Sequence, residues 1–342
     1  MRILASSYTE NVTTGLSGSG KGISLFELDE SNGVLHEISS YPSINPGFLA
    51  LNREKELVYT FEERESHLNP RLLTFRIDGD RIVPVHEVPI PGGLPCHLSF
   101  IREKGLLAVA CYQTGNLHIY NVDENGLPFT LAQTVQHEGK SINISRQEGP
   151  HAHMVSYFEN EIYVPDLGLD KVIVYSIKNG GLQHNYHIDL PPGGGPRHIA
   201  FHQSGRYAFV TNEMSGNISI LRKGGSEFVF LKNFYLLSNQ AKNDASLSTI
   251  HLSGDQLLVG IRSLHCIASL TFVESTASLQ QKENVETFGL TPRDFVITPD
   301  QKWLLVGNQD SHSIVVFSLE KGSLIFKSKL EGFHSPCCLK VW

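Results

Sequence analysis

Two histidines one residue apart, His151 and His153, are the first feature of this chain that could do chemistry. Residues i and i+2 of an extended strand share a face, so His-x-His points two imidazoles the same way. That arrangement suits either a general base or a pair of metal ligands. The second feature is cationic: Arg197 and Arg293 open short apolar runs, Arg262 closes one, and Glu213 closes another. A carboxylate flanked by guanidinium groups stays ionised near neutral pH, while the arginines keep donors for an anionic ligand. Other catalytic patterns are weak or missing. The glycine run PPGGGPR (191–197) resembles a phosphate loop only superficially, because it leads into a strand and not a helix, and neither G-x-S-x-G nor H-E-x-x-H occurs.

The elements that position these residues repeat. NPGFLAL (45–51), GLPCHLSF (93–100), GPHAHMV (149–155), GPRHIAF (195–201), DASLSTI (244–250), TPRDFVI (291–297) and SPCCLKV (335–341) each join a turn to a short apolar strand. Their Pro slot falls at Pro46, Pro95, Pro150, Pro196, Ala245, Pro292 and Pro336, an interval of about 48 residues. In the fourth of these repeats PRHIAFHQ, YAFVTNE, NISIL and EFVFLKNFY read as four successive strands, A to D, and no segment of similar strength has helical period. The chain opens on a strand B, RILASSY, and stops after a lone strand A, CCLKVW. The expected fold is therefore all-β: a seven-bladed β-propeller of four-stranded blades, closed by the C-terminal strand joining the N-terminal blade, with residues 1–342 as one domain.

With the Pro slot numbered zero and strands A and B antiparallel, slot one faces slot seventeen at one mouth of the central channel. Slot one holds Gly47, Cys96, His151, Arg197, Ser246, Arg293 and Cys337, and slot seventeen holds Tyr8, Glu63, Tyr112, Leu167, Glu213, Arg262 and Gln309. Slots three and five are apolar in most blades, as in Leu98 and Phe100, but blade four puts His153 in slot three. An unpartnered imidazole in an apolar row is costly, so the mouth cluster reads as functional and an inter-blade ion-pair network is the competing reading. A metal would need Glu213 as a third ligand, and the arginines would repel a divalent cation. A site without metal or cofactor is expected.

Of 342 residues, 40% are hydrophobic and 18% charged, a composition suited to a globular core, and the net charge is −7 without an acidic or basic block. Nucleic-acid and membrane-surface binding therefore lose their electrostatic footprint. The start MRILASSYTENVTTG lacks the features of a signal peptide, and no run approaches the roughly 18 apolar residues of a membrane span, so a cytoplasmic protein is expected. Cys96, Cys111, Cys266, Cys337 and Cys338 show no C-x-x-C and read as reduced thiols.

The segments SSYTE (6–10), RQEGPHAH (146–153), VPDLGLDKVIVY (164–175), GGGPRHIAFH (194–202), VTNE (210–213), VGIR (259–262) and TPRDF (291–295) resemble the lactonase family of seven-bladed propellers along the whole chain. That family includes bacterial 6-phosphogluconolactonases and fungal muconate lactonising enzymes. The resemblance implies hydrolysis of a small anionic lactone, 6-phosphogluconolactone to 6-phosphogluconate, with His153, Glu213, Arg197 and Arg262 as catalytic residues. His151, Arg293, Arg146 and Tyr8 would bind the substrate. The arginines would stabilise the oxyanion and either His153 or Glu213 would take the proton from water. A muconate-type lactonising reaction, or a non-catalytic scaffold for a protein partner, are the alternatives, although no partner protein is indicated. Two departures from the family pattern stand out: Ala245 in the Pro slot, and VGIR where a polar pair precedes the Arg.

Overall fold

The computed structural model describes residues 1–178, 180–237 and 246–342. Seven antiparallel four-stranded sheets follow one another around a ring, each running A-B-C-D from the axis outward. Blade five consists of Pro196–Phe201, Tyr207–Asn212, Asn217–Gly224 and Glu227–Tyr235. Its strand B is buried along nearly all its length because neighbouring blades cover both faces, which is why such strands read as continuous apolar runs. Strand D has one face on solvent and alternates instead. The core lies between blades: Phe209 and Ile218 of blade five pack with Leu257, Val259 and Leu270 of blade six. Helical elements among the described residues are short 3-10 turns, of which Arg262–Leu264 matters for the site.

Blade one confirms the closure. Its order is Pro336–Val341, Arg2–Ser7, Ile23–Asp29, Val34–Tyr41, so the last strand of the chain is the innermost strand of the first blade. Ile3 pairs with Val341, Ala5 with Leu339 and Ser7 with Pro336. The closing strand completes a core cluster with blade seven, in which Ile3, Ala5 and Leu339 meet Leu305 and Ile314.

The register corrects the slot count. Pro196 pairs with Asn212 and His198 with Thr211, so Arg197 has no cross-strand partner and is a β-bulge. The same break falls at Cys96, Arg293 and Cys337. Slot one is thus not opposite slot seventeen; it is the extra residue, and the bulge turns its side chain toward the channel mouth beside slot seventeen.

Blade four is offset by two residues. Ala152, not Pro150, bridges the end of strand B at Asp166, and the regular ladder begins only at Ser156–Phe158. His153 therefore occupies the place that Arg197 holds in blade five, and His151 the place of Gly195, since Leu167 N–H bonds to His151 O as Glu213 N–H does to Gly195 O. No polar side chain interrupts the apolar row: Val155 fills it and is 1% exposed. Blade six carries the same offset. Leu247, not Ala245, pairs with the end of strand B at Ile261, which moves Ser246 out of slot one. Ala245 itself lies outside the described residues. VGIR has a local cause as well, because a Cβ on Gly260 would lie 2.2 Å from Ser248 Oγ.

Candidate active site

The mouth opens into a cleft of about 700 Å³ lined by Tyr8, Glu63, Tyr112, Arg146, His153, Arg197, Glu213, Arg262 and Arg293 among others. Glu213, at the end of strand B of blade five, is its centre. Its Oε2 lies 2.7 Å from Arg262 Nη2 and 3.1 Å from Arg197 Nε, and its Oε1 accepts from Arg146 Nη2 at 2.9 Å. The Arg197 Nε contact is an ion pair without hydrogen-bond alignment. Burial alone would raise the Glu213 pKa, but the Arg262, Arg197 and Arg146 guanidinium groups hold it well below the usual carboxyl range. The carboxylate is ionised and paired with three guanidinium groups, of which Arg146 makes an aligned hydrogen bond.

His153 Nε2 stands 4.0 Å from Glu213 Oε2, and its buried Nδ1 has no hydrogen-bond partner. Burial, then the charge of Arg197, lowers its pKa well below that of an ordinary histidine. The ring is therefore neutral at physiological pH and keeps a basic lone pair.

Arg146 reaches the cleft from outside the blades. Its turn is fixed by Asn143 Oδ1, which accepts from Arg146 N–H at 3.1 Å, and by Gln147, whose amide donates to Leu167 O at 2.9 Å. Its guanidinium also donates to Tyr112 Oη at 3.2 Å. Arg293, on the other side of the ring, donates to Tyr8 Oη at 2.6 Å and to Gln309 Oε1 at 3.1 Å.

His151 is not brought into the cleft. Its Nδ1 donates to Tyr112 O at 2.7 Å, its ring stacks on Tyr112, and Nε2 faces Glu148 at 3.3 Å. The glycine run 193–195 binds no phosphate in this arrangement either: Gly193 and Gly195 N–H groups donate to the Asp170 carboxylate at 2.7 and 2.8 Å.

Two contributions were not anticipated. His198 accepts from Arg197 Nη1 at 3.0 Å and faces Thr249 Oγ1 through Nδ1 at 3.1 Å, so it orients the arginine from below. The recurrence of polar residues one slot on, at His97, His198 and Asp294, was a visible signal. A hairpin of Asn11–Thr13 and Leu16–Ser17 covers part of the mouth, with Val12 packed on Tyr8, Leu94 and Cys337. Its signal was the unusually long stretch between strands B and C of blade one.

Burial of uncharged imidazoles along the axis has a measurable consequence. Desolvation lowers the pKa of His97, His153 and His198 well below the ordinary 6.5, and that of His251 to about 4. Such a group binds its proton more weakly in the folded than in the unfolded chain. Its stabilising contribution is complete above about 6.5 and is lost as pH falls toward 4 and below. Glu62 and Glu63, raised by burial, oppose this only in part. Thermal midpoints should fall steadily from pH 7 to pH 5, and the slope should be shallower in His251→Phe. A flat profile over that interval would contradict neutral axial histidines.

A closed ring of seven four-stranded blades is a seven-bladed β-propeller, here with a charged cleft at one end of its axis. Residues 2–341 match the family described as Lactonase, 7-bladed beta-propeller, and the chain belongs to that family. It is an enzyme of the lactonase type. A 6-phosphogluconolactonase of Bacillus subtilis (strain 168) is 30% identical, over 97% of this chain and 98% of the relative. A 6-phosphogluconolactonase of Formosa agariphila is 29% identical over 89% of this chain and 91% of its own. Among solved structures, a protein from Lactobacillus plantarum superposes with a TM-score of 0.89 at 26% identity, covering 99% and 98% of the two chains. The periplasmic gluconolactonase of Pseudomonas aeruginosa shares the fold, with a TM-score of 0.88 at 24% identity over 99% and 98%.

Proposed function

We propose that this enzyme hydrolyses 6-phosphogluconolactone to 6-phosphogluconate, with the 1–342 propeller acting as one unit. The observation that carries the reading is the pairing of a neutral imidazole, His153, with a carboxylate already ion-paired to three arginines. Glu213 is a poor base because accepting a proton would break its ion pairs, so it holds Arg197 and Arg262 in place. Those two polarise the lactone carbonyl and stabilise the oxyanion as water adds. His153 takes the proton from that water. Arg146, the most exposed arginine of the cluster, and Arg293 receive the phosphate, with Tyr8 against the sugar ring. The names of the two bacterial relatives support the choice of substrate. Five unpaired cysteines, four of them buried, support a reducing compartment and hence the cytoplasm. No helix among the described residues is long and apolar enough to cross a membrane.

The test is a panel of lactones with and without a 6-phosphate, assayed before and after exhaustive chelation, with spontaneous hydrolysis subtracted. The phosphorylated lactone should show the highest kcat/KM, and chelation should leave it unchanged, since guanidinium groups occupy the surroundings of His153 where a divalent ion would have to sit. Loss of activity restored by zinc, calcium or manganese would remove the metal-free mechanism. A protein inactive on every lactone would remove the reading altogether.

A further inference from the structure

On the side of the ring opposite Glu213, blades one, two and seven carry a second polar group, of which the steps above use Arg293 and Tyr8 only for binding and Glu63 not at all. Tyr8 Oη lies 2.8 Å from Glu63 Oε2 and receives the Arg293 Nη2 hydrogen bond of 2.6 Å. Tyr8 is 0% and Glu63 6% exposed, yet both line the cleft. The carboxyl fits only because slot one of blade two is a glycine: a Cβ on Gly47 would lie 1.9 Å from Glu63 Oε2.

Hydrogen-bond counting limits what this group can do. A phenol has one hydrogen and two acceptor positions, and Arg293 fills one of the latter. When Glu63 is a carboxylate it takes the phenol hydrogen. When Glu63 is a carboxylic acid it donates to the remaining lone pair, and the Tyr8 O–H is released toward the cleft.

We propose that Tyr8, resupplied by Glu63, is the acid that protonates the leaving ring oxygen of the lactone. This rests on the lactone-hydrolysis reading above. His153 takes one proton of the water as its oxygen bonds to the acyl carbon. When the tetrahedral intermediate collapses, the bond from acyl carbon to ring oxygen breaks, Tyr8 gives its proton to that oxygen, and Glu63 passes its own proton to Tyr8. Glu63 regains a proton from solvent and His153 releases one, so the turnover consumes one water and yields the open hydroxy acid. The charged and titratable groups facing the pair are Arg293 from blade seven, Cys337 beside Tyr8 on the closing strand, and Arg197 toward Glu63. Burial is the largest influence on both and raises both, which favours protonated Glu63 and neutral Tyr8; the charge of Arg293 works against it.

Tyr8→Phe and Glu63→Gln test this on two substrates: the sugar lactone, whose leaving group is a strongly basic alkoxide, and dihydrocoumarin, whose leaving phenolate needs no acid. Tyr8→Phe keeps the ring beneath the Arg293 guanidinium, 4.8 Å away, and should fold. It should lower kcat on the sugar lactone about a hundredfold, with KM little changed, and on dihydrocoumarin less than about fivefold. Glu63→Gln, whose amide still donates to Tyr8, should lose less. It should also lack the alkaline fall in kcat that the proposal expects of the parent as Glu63 gives up its proton. Equal loss on both substrates, or no loss on the sugar lactone, would overturn the proposal. If the parent does not turn over dihydrocoumarin, the pH profile decides, and an alkaline limb unchanged in Glu63→Gln overturns it. A parent inactive on all lactones overturns the hydrolysis reading instead, and this proposal with it.

Discussion

His153→Gln should lower kcat for lactone hydrolysis on the order of a hundredfold or more while the propeller stays folded. The reason is that His153 is the cleft's imidazole with a free buried nitrogen, and its neighbours keep it uncharged. Glutamine has similar length and can donate toward Glu213, which leaves the three ion pairs of that carboxylate in place, but it offers no basic nitrogen. The expected signature is a fall in kcat with KM nearly constant, because the proton moves only in the transition state. Leucine is a harsher test. His153 sits on the mouth beside Arg197 and not within an apolar row, so His153→Leu places an alkyl group against charged neighbours and restores no packing. Glu213→Gln separates the roles, since loss of an orienting charge weakens both Arg197 and Arg262 and should raise KM as well as lower kcat. The measurements are steady-state constants with background hydrolysis subtracted, alongside thermal midpoints. Full activity in both folded variants would show the cluster to be structural.

Removing residues 337–342 should abolish cooperative folding. The closing strand places Cys338, Leu339 and Val341 in blade-to-blade cores, and each such side chain is worth about 1.5–3 kcal/mol of burial. Their sum approaches the whole of a typical native stability of about 5–15 kcal/mol. Deletion also strips the ladder from Arg2–Ser7 and leaves an open edge against blade seven. Long-range ties go with it: Leu339 N–H to Asp294 Oδ2 at 2.9 Å and Arg53 Nη2 to Val341 O at 2.6 Å. A truncated chain should elute as aggregate and melt without a sharp transition, whereas Leu339→Ala should fold with a loss of about 2–5 kcal/mol. A truncated protein with the parent's melting curve would mean that the ring holds without its clasp.

The blade count, the strand order and the clasp follow from local information: turn residues recur at a fixed interval, strand alternation reports which face is covered, and the incomplete first and last repeats complement each other. The same information brought Arg197, Glu213, Arg262, Arg293 and Tyr8 to one mouth, because strands A and B share a tight turn and their outer ends must emerge together. Register is different. A bulge costs one residue and leaves the alternation on either side looking undisturbed, so nothing in PHAH tells a reader that blade four starts pairing at Ala152, or that blade six starts at Leu247. That two-residue offset, decided by how strand A meets strand B, is what puts His153 in the cleft and turns His151 onto Tyr112. Arg146 belongs to the same class. Its loop has no periodicity to read, and only the anchors at Asn143 and Gln147 bring its guanidinium to Glu213. The sequence alone determined which residues gather at the mouth. The pairing of strand A with strand B decided which of them face the cleft, since side-chain direction at a bulge depends on which residues pair across the two strands.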